Sequence, residues 1–292
     1  MIERALSVLL CVFTISSWAA EDASLAGDQP LIISSGANGG GYWSAASRLQ
    51  TVVEGKGAKA ENVASTGSLA NLEALTDPGS PVSLAFAQAD ALEYFLYDNP
   101  GARAEIDILE NIGQECVFII TSADSTLRTD ADLQSAEDYR LGIPSHTSGV
   151  AVTFNYMTRQ IPDLSSVQIV YGDTAEAFEN MHSPNAALDA VMVVHRPKEH
   201  SPEVDLALAD PERYRFLEID DNRLTEKPDD GQEVYRGMQL AMSGQDNQEA
   251  TTVKTICVKG LLLANKNKLT PEQRTLLIEV VNYQWMEVFA TQ

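Results

Sequence analysis

The sequence predicts an α/β chain folded as two lobes. Short apolar runs rich in β-branched residues alternate with helical patterns from Leu31 onward, the signature of packed sheet and helix layers. Each of the early strands leads through a small, polar turn into a helix. With 292 residues, 44% of them hydrophobic and 21% charged, the chain can bury a sizeable core and has the length for two lobes.

The elements follow in order. Leu31–Ser35 reads as a strand, Gly36–Gly41 as a glycine-rich loop and Tyr42–Glu54 as a helix. A second unit pairs the strand Ala60–Ala64 with the turn Ser65–Ser68 and the helix Leu69–Leu75. The third runs from the strand Val82–Phe86 to a helix opened by Gln88-Ala89-Asp90. A core strand follows at Cys116–Thr121, and a second set of elements begins with the strand Leu141–Pro144, the cap-rich turn Ser145–Gly149 and the helix Val150–Arg159. Further strands are expected at Val167–Tyr171 and Leu188–Val194, around a helix at Thr174–Met181. The stretch Arg196–Gly237 is charge-dense and punctuated by proline, and no elements are assigned to it. The strand Val253–Ala264 precedes a last helix, opened by Pro271 in its first turn and running to about Phe289.

Export is written at the N-terminus. Arg4 precedes the apolar run Ala5–Ile15, then Ser16-Ser17-Trp18-Ala19-Ala20 and an acidic stretch from Glu21. A basic start, a short apolar stretch and the small pair Ser17 and Ala19 describe a secretory signal peptide over residues 1–19, cleaved near Ala19 or Ala20. No later run reaches the roughly 18 apolar residues that a membrane span needs. Leu10 before Cys11 stands where a lipid-attachment site has a small residue, so a lipid anchor is not expected.

Charge and motifs narrow the function. Acidic residues outnumber basic ones 42 to 20, a net charge of −22, which excludes nucleic acid and anionic membrane faces as partners. A small anion remains compatible, because donors within a pocket can differ in sign from the whole surface. No GxSxG, SxxK, HExxH or P-loop pattern occurs, and Gly36–Gly41 does not fit GxGxxG because Ser44 stands at the last glycine position. The histidines His146, His182, His195 and His200 have no metal-ligand partner at helical spacing. Neither catalytic residues nor a cofactor or metal site is expected. After removal of the signal, Cys116 and Cys257 remain, each in an apolar strand; they are either a disulfide or two buried thiols.

Binding chemistry is what remains. The turns Asn38–Tyr42, Ser65–Ser68 and Thr147–Gly149 each place small or hydroxyl residues where a helix begins after a strand, so that backbone N–H groups face an anion or polar ligand. For any one turn the simpler reading is that Ser and Thr are N-caps. Three such turns, all at the carboxyl ends of strands, point to a common cleft. The expected ligand-binding residues are Asn38, Gly41, Tyr42, Trp43, Ser65, Thr66, Ser68, Gln88, Asp90, Thr147 and Ser148, with Arg48 or Arg196 as helpers. Tyr42 and Trp43 either wall the cleft or belong to the core.

These residues resemble a known family. Gly39-Gly40-Gly41-Tyr42-Trp43 is similar to the Gly-Gly-x-Tyr-Tyr opening of the TAXI-type solute-binding proteins of TRAP (tripartite ATP-independent periplasmic) transporters. Ser65–Leu72 resembles that family's Ser/Thr-Gly-Gly-Ser-x-x-Asn-Leu, Leu84–Asp90 its apolar-x-Gln-Ser-Asp segment, and Ala187–Ala190 its Ile-Asp-Ala strand. Thr147-Ser148-Gly149 stands where Gly-Ser-Gly-Thr is usual, and Val253-Lys254-Thr255 to Asn265-Lys266 resembles the late Val-Lys-Thr…Ala-Asn-Lys block. The chain departs from the pattern at Ala37 and Asn38 in the first loop, at Trp43, at Ala89 and within Ser145–Gly149.

The resemblance implies a two-lobed periplasmic-binding-protein fold, a mixed sheet flanked by helices in each lobe and a ligand cleft between them. Lobe one would take residues 28–123 and 245–292, and lobe two residues 124–244. It further implies a periplasmic monomer that closes on a small organic acid such as glutamate or 2-oxoglutarate and delivers it to a TRAP-type membrane permease. An exported sensor that presents its bound state to a signalling receptor would use the same fold.

Overall fold

The computed structural model describes residues 29–179, 181–182, 185–198, 201–226, 233–243 and 250–290. The signal segment 1–19 and the expected lobe limits at 28, 244 and 245 lie outside them.

The first three units form as strand, turn and helix. β1 (Leu31–Gly36) is buried along its whole length, and α1 (Gly41–Gly55) turns Ala45, Ala46, Leu49, Val52 and Val53 inward at helical spacing. β2 (Ala60–Ala64) leads to α2 (Ser68–Thr76), and β3 (Val82–Gln88) runs two residues beyond its apolar core before α3 (Ala89–Asp98) begins. β4 (Ile106–Ser122) is far longer than the expected Cys116–Thr121. Before Cys116 it carries Asp107, Glu110, Asn111 and Glu115, whose polarity masks the strand pattern in the sequence.

The second set is α4 (Asp130–Gln134), β5 (Arg140–Ile143), α5 (Gly149–Gln160), β6 (Gln168–Tyr171), α6 (Thr174–Glu179) and β7 (Ala190–His195). The stretch left unassigned in the sequence holds α7 (Pro202–Ala209), β8 (Tyr214–Phe216) and α8 (Asn222–Thr225), and reaches the start of β9 (Tyr235–Met242). β10 (Thr251–Asn265) closes the sheet. The last helix is two, α9 (Pro271–Tyr283) and α10 (Trp285–Phe289), parted at Gln284 with φ −122° and ψ 20°. That turn folds Val288 and Phe289 back into the core, where Phe289 meets Phe86 edge-on at 6.5 Å.

The strand order is β2-β1-β3-β10-β4-β7-β5-β6, with β8 added to β4 and β9 to β10. The flanks, β2-β1-β3 and β7-β5-β6, are parallel, whereas β10 runs antiparallel to both β3 and β4. β4 and β10 therefore serve both ends of the sheet. Each end has apolar packing on both faces. At the first, α1, α9 and α10 cover one face, and α2 and α3 the other. At the second, α5 covers one face and α6 with α7 the other. Along β4, Val117 and Ile119 enter one core while Phe118 and Ile120 enter the opposite one, so the run reads as continuously apolar. The result is a two-lobed, mixed α/β fold with helices on both faces of each half.

Cys116 and Cys257 face each other in register where β4 and β10 pair, and they are disulfide-bonded with Cα atoms 3.9 Å apart. Their side chains pack with Phe118, Phe178 and Val253 beside α6 and α7. The bond sits where β4 and β10 pair, in the two strands that run through both halves. No helix among the described residues is long and apolar enough to cross a membrane.

Candidate ligand-binding site

Three helices of at least nine residues begin at one place between the halves. α1 starts after Gly40, whose amide donates to the Ala37 carbonyl at 3.0 Å, and no side chain caps its first turn. α2 starts after Gly67, at φ +139°, again without a side-chain cap. α5 starts at Gly149, after Ser148. A helix start directs its first N–H groups and the positive end of its dipole outward, and residues at all three starts line one cavity.

Close approach explains the glycines. A Cβ on Gly67 would lie 3.0 Å from the Thr147 carbonyl oxygen and 3.0 Å from the Ser148 Cα, and one on Gly149 would lie 2.0 Å from Gln88 Oε1. Gly67 also needs a positive φ that side chains resist. The two halves are thus in contact: at Gly67 a side chain would meet backbone of the other half, and at Gly149 it would displace the Gln88 side chain.

The helix starts bound a cavity of about 180 Å³. One side is made by Ser35–Ala37, Gly40–Trp43, Gly67, Ser68 and Gln88, the other by Gly149, Val150, Val194, His195 and Arg196, with Glu115 of β4 beneath. Of the residues expected from the sequence, Gly41, Tyr42, Trp43, Ser68 and Gln88 line it. Arg196, expected as a helper, lines it too.

The others are placed differently. Asn38 and Thr66 are exposed in their turns, and Ser65 Oγ accepts from the Gly67 amide at 3.2 Å. Ser148 Oγ donates to the Ser145 carbonyl at 2.7 Å and accepts from the Ala151 amide at 3.2 Å, so this hydroxyl is a helix cap. Thr147 contributes a backbone carbonyl against Gly67. Asp90 is buried one turn behind the cavity wall, bonded to Thr153 and Tyr235. Arg48 donates to the Val288 carbonyl at 2.8 Å and ties α1 to α10.

The electrostatics of the wall are mixed. Tyr42 donates its hydroxyl to Glu115 Oε2 at 3.1 Å, and burial followed by the Glu115 charge pushes its phenol well above the ordinary value. Arg196 is anchored by the Phe289 and Ile112 carbonyls at 3.4 and 3.3 Å. Ser68 Oγ and Gln88 Oε1 are 3.4 Å apart on the opposite side. The Nδ1 of His195 is buried and has no hydrogen-bond partner among the described residues.

Glu115 and His195 escaped the sequence reading as cavity residues, and Gly149 entered it only as the end of the Thr147–Gly149 turn. Glu115 and His195 sit at the ends of apolar strand runs, directly before Cys116 and after Val194, and polar residues at strand ends were the available signal. Among the described residues no group of three or more His, Cys, Asp or Glu could hold a metal.

The fold and cleft define a two-lobed α/β protein with a small cavity of mixed lining at its lobe junction. No family model matches the chain, and no curated protein matches it. Among solved structures it is similar to XAC2383 from Xanthomonas citri bound to ATP, with a TM-score of 0.52 and 9% identity over 90% of this chain and 88% of that one. The chloride-bound form of XAC2383 gives a TM-score of 0.51 and 10% identity, over 90% and 89% of the two chains. The periplasmic aliphatic sulphonate binding protein SsuA from Escherichia coli gives a TM-score of 0.48 and 14% identity, over 90% of this chain and 74% of that one. At this identity the likeness to XAC2383 is one of fold.

Proposed function

We propose that this chain is an exported, periplasmic solute-binding protein that closes its lobes on a small organic acid, amino-acid-like or dicarboxylate-like, without catalysing a reaction. The observation that carries this reading is the convergence of α1, α2 and α5 on one cavity between two lobes. Each helix terminus contributes roughly 0.3–1 kcal/mol toward an anion, which offsets the repulsion of a surface with net charge −22. Arg196 adds a donor and the His195 ring a polar group, and Trp43 and Val194 supply apolar wall for a carbon chain. The Glu115–Tyr42 pair suits a ligand that also carries a donor group, as an amino acid does.

Size narrows the class. A cavity of about 180 Å³ is little larger than the ~150 Å³ that holds benzene in an engineered core.

In this reading the lobes are residues 28–123 with 245–292, and 124–244, and they move about β4 and β10. Gly113, at φ +124°, pairs with Gly260 there, and the register shifts beside them. Delivery to a TRAP-type permease by a monomer, in the manner of TAXI proteins, completes the proposal. A thermal-shift and native-mass screen of the mature protein against glutamate, 2-oxoglutarate and related acids tests it. A raised Tm with a matching mass increase supports the reading, and the absence of any bound acid at millimolar concentration overturns it.

A further inference from the structure

Asp90 lies in the first turn of α3, two residues after the cavity residue Gln88, and is fully buried. Its Oδ1 accepts from the Ala91 amide at 2.8 Å within its own helix. Its Oδ2 is satisfied from the other half of the molecule. Thr153 of α5 donates its hydroxyl at 2.6 Å, and Tyr235 of β9 donates its phenol at 2.7 Å. Both are fully buried, and Tyr235 is held edge-on by Tyr156 at 5.6 Å.

Thr153 is four residues beyond Gly149, so it stands on the same face of α5 one turn below the cavity wall. A bond from Asp90 to Thr153 therefore sets where the start of α5 sits against Gln88 and Ser68. We propose that Asp90, Thr153 and Tyr235 form an inter-lobe latch that sets the closed position of α5 and thereby the shape of the ligand cavity. The latch rests on the reading of the cleft as one that opens and closes.

The physical case is one of register. A carboxylate sealed from water is costly unless its lone pairs are met, and replacing such a buried polar cluster by apolar side chains is often neutral or stabilising. What a directional cluster adds is a single geometry in which all its partners are satisfied. When the lobes part, water satisfies all three groups again. A shift of about an ångström between lobes breaks these short bonds and exchanges them for bonds to water. Asp90 acts as a positioning residue and does not itself touch the cavity.

Hydrogen–deuterium exchange of the protein without added ligand tests this, so the result stands whatever the acid screen shows. Thr153→Val and Tyr235→Phe each remove one donor at nearly constant volume, and Thr153→Ser keeps the hydroxyl. The latch predicts that amides in the first two turns of α5 and of α3 exchange about tenfold faster or more in Thr153→Val and Tyr235→Phe, and at the native rate in Thr153→Ser. Amides of β1 and β3 keep their native rates, and small-angle scattering shows a larger radius of gyration. Equal acceleration throughout both lobes, or native rates at α5 in both donor-deletion variants, overturns the latch. Should Thr153→Val fail to fold, Tyr235→Phe against Thr153→Ser gives the same comparison.

Discussion

Gly67 and Gly149 touch across the cleft: a Cβ on Gly67 would lie 3.1 Å from the Gly149 amide nitrogen. Two helices from opposite lobes begin at this contact, so the absence of side chains there decides how far the lobes approach. The same contact brings the helix-start amides of α2 and α5 to one cavity.

Gly67→Ala should therefore hold the lobes apart. The substitution meets backbone at 3.0 Å and a φ of +139° that alanine resists. Small-angle scattering should give a larger radius of gyration than the native protein under the same conditions. An unchanged radius would show that the contact does not limit closure.

The disulfide should be complete and stabilising. Cys116 and Cys257 close a separation of 141 residues, and breaking a bond of this kind costs about 2–4 kcal/mol where the unfolded chain gains the released freedom. Thiol labelling of denatured, unreduced mature protein should find no free thiol, and reduction should lower Tm. Two labelled thiols per chain would contradict the bond.

Ligand contacts should divide along the cavity boundary. Once an acid is identified, Gln88→Leu and Tyr42→Phe should weaken its binding by about 1–2 kcal/mol each, as expected for loss of a polar contact at a buried site. Thr66→Ala, in an exposed turn outside the wall, should leave Kd unchanged in calorimetry. The reverse pattern would move the site to the turn hydroxyls.

Acid should relieve a strain at Asp90. Burial raises its carboxyl above the ordinary range, against hydrogen bonds from Thr153 and Tyr235 that lower it. A carboxyl raised in the folded state favours folding when protonated, so that contribution is present at low pH and is lost as pH rises through the folded value. Tyr42, Tyr156 and Tyr235 also feel its charge, but all are raised from 10 and stay neutral throughout. Asn at position 90 has no such proton to bind. The Tm of Asp90→Asn relative to native should therefore fall as pH is lowered from 7 to 4, and a relative Tm that rises instead would refute the assignment.

The alternation of strands and helices was legible in the chain, because apolar periodicity and turn residues are local. The sequence named the three helix starts and five of the cavity residues, Gly41, Tyr42, Trp43, Ser68 and Gln88, because each stands at a strand-to-helix junction. The first half of β4 was illegible, since its polar residues are tolerated only where β10 supplies the ladder. Asp90 illustrates what pattern could not decide. Its place after Gln88 pointed toward the ligand, but the first turn of α3 rotates it inward to donors 63 and 145 residues away in the chain. Whether a hydroxyl caps its own helix, as at Ser148, or a glycine admits a neighbouring helix, as at Gly149, depends on which elements meet there. That meeting is set by β4 and β10, which bring together segments that carry no trace of one another in the sequence.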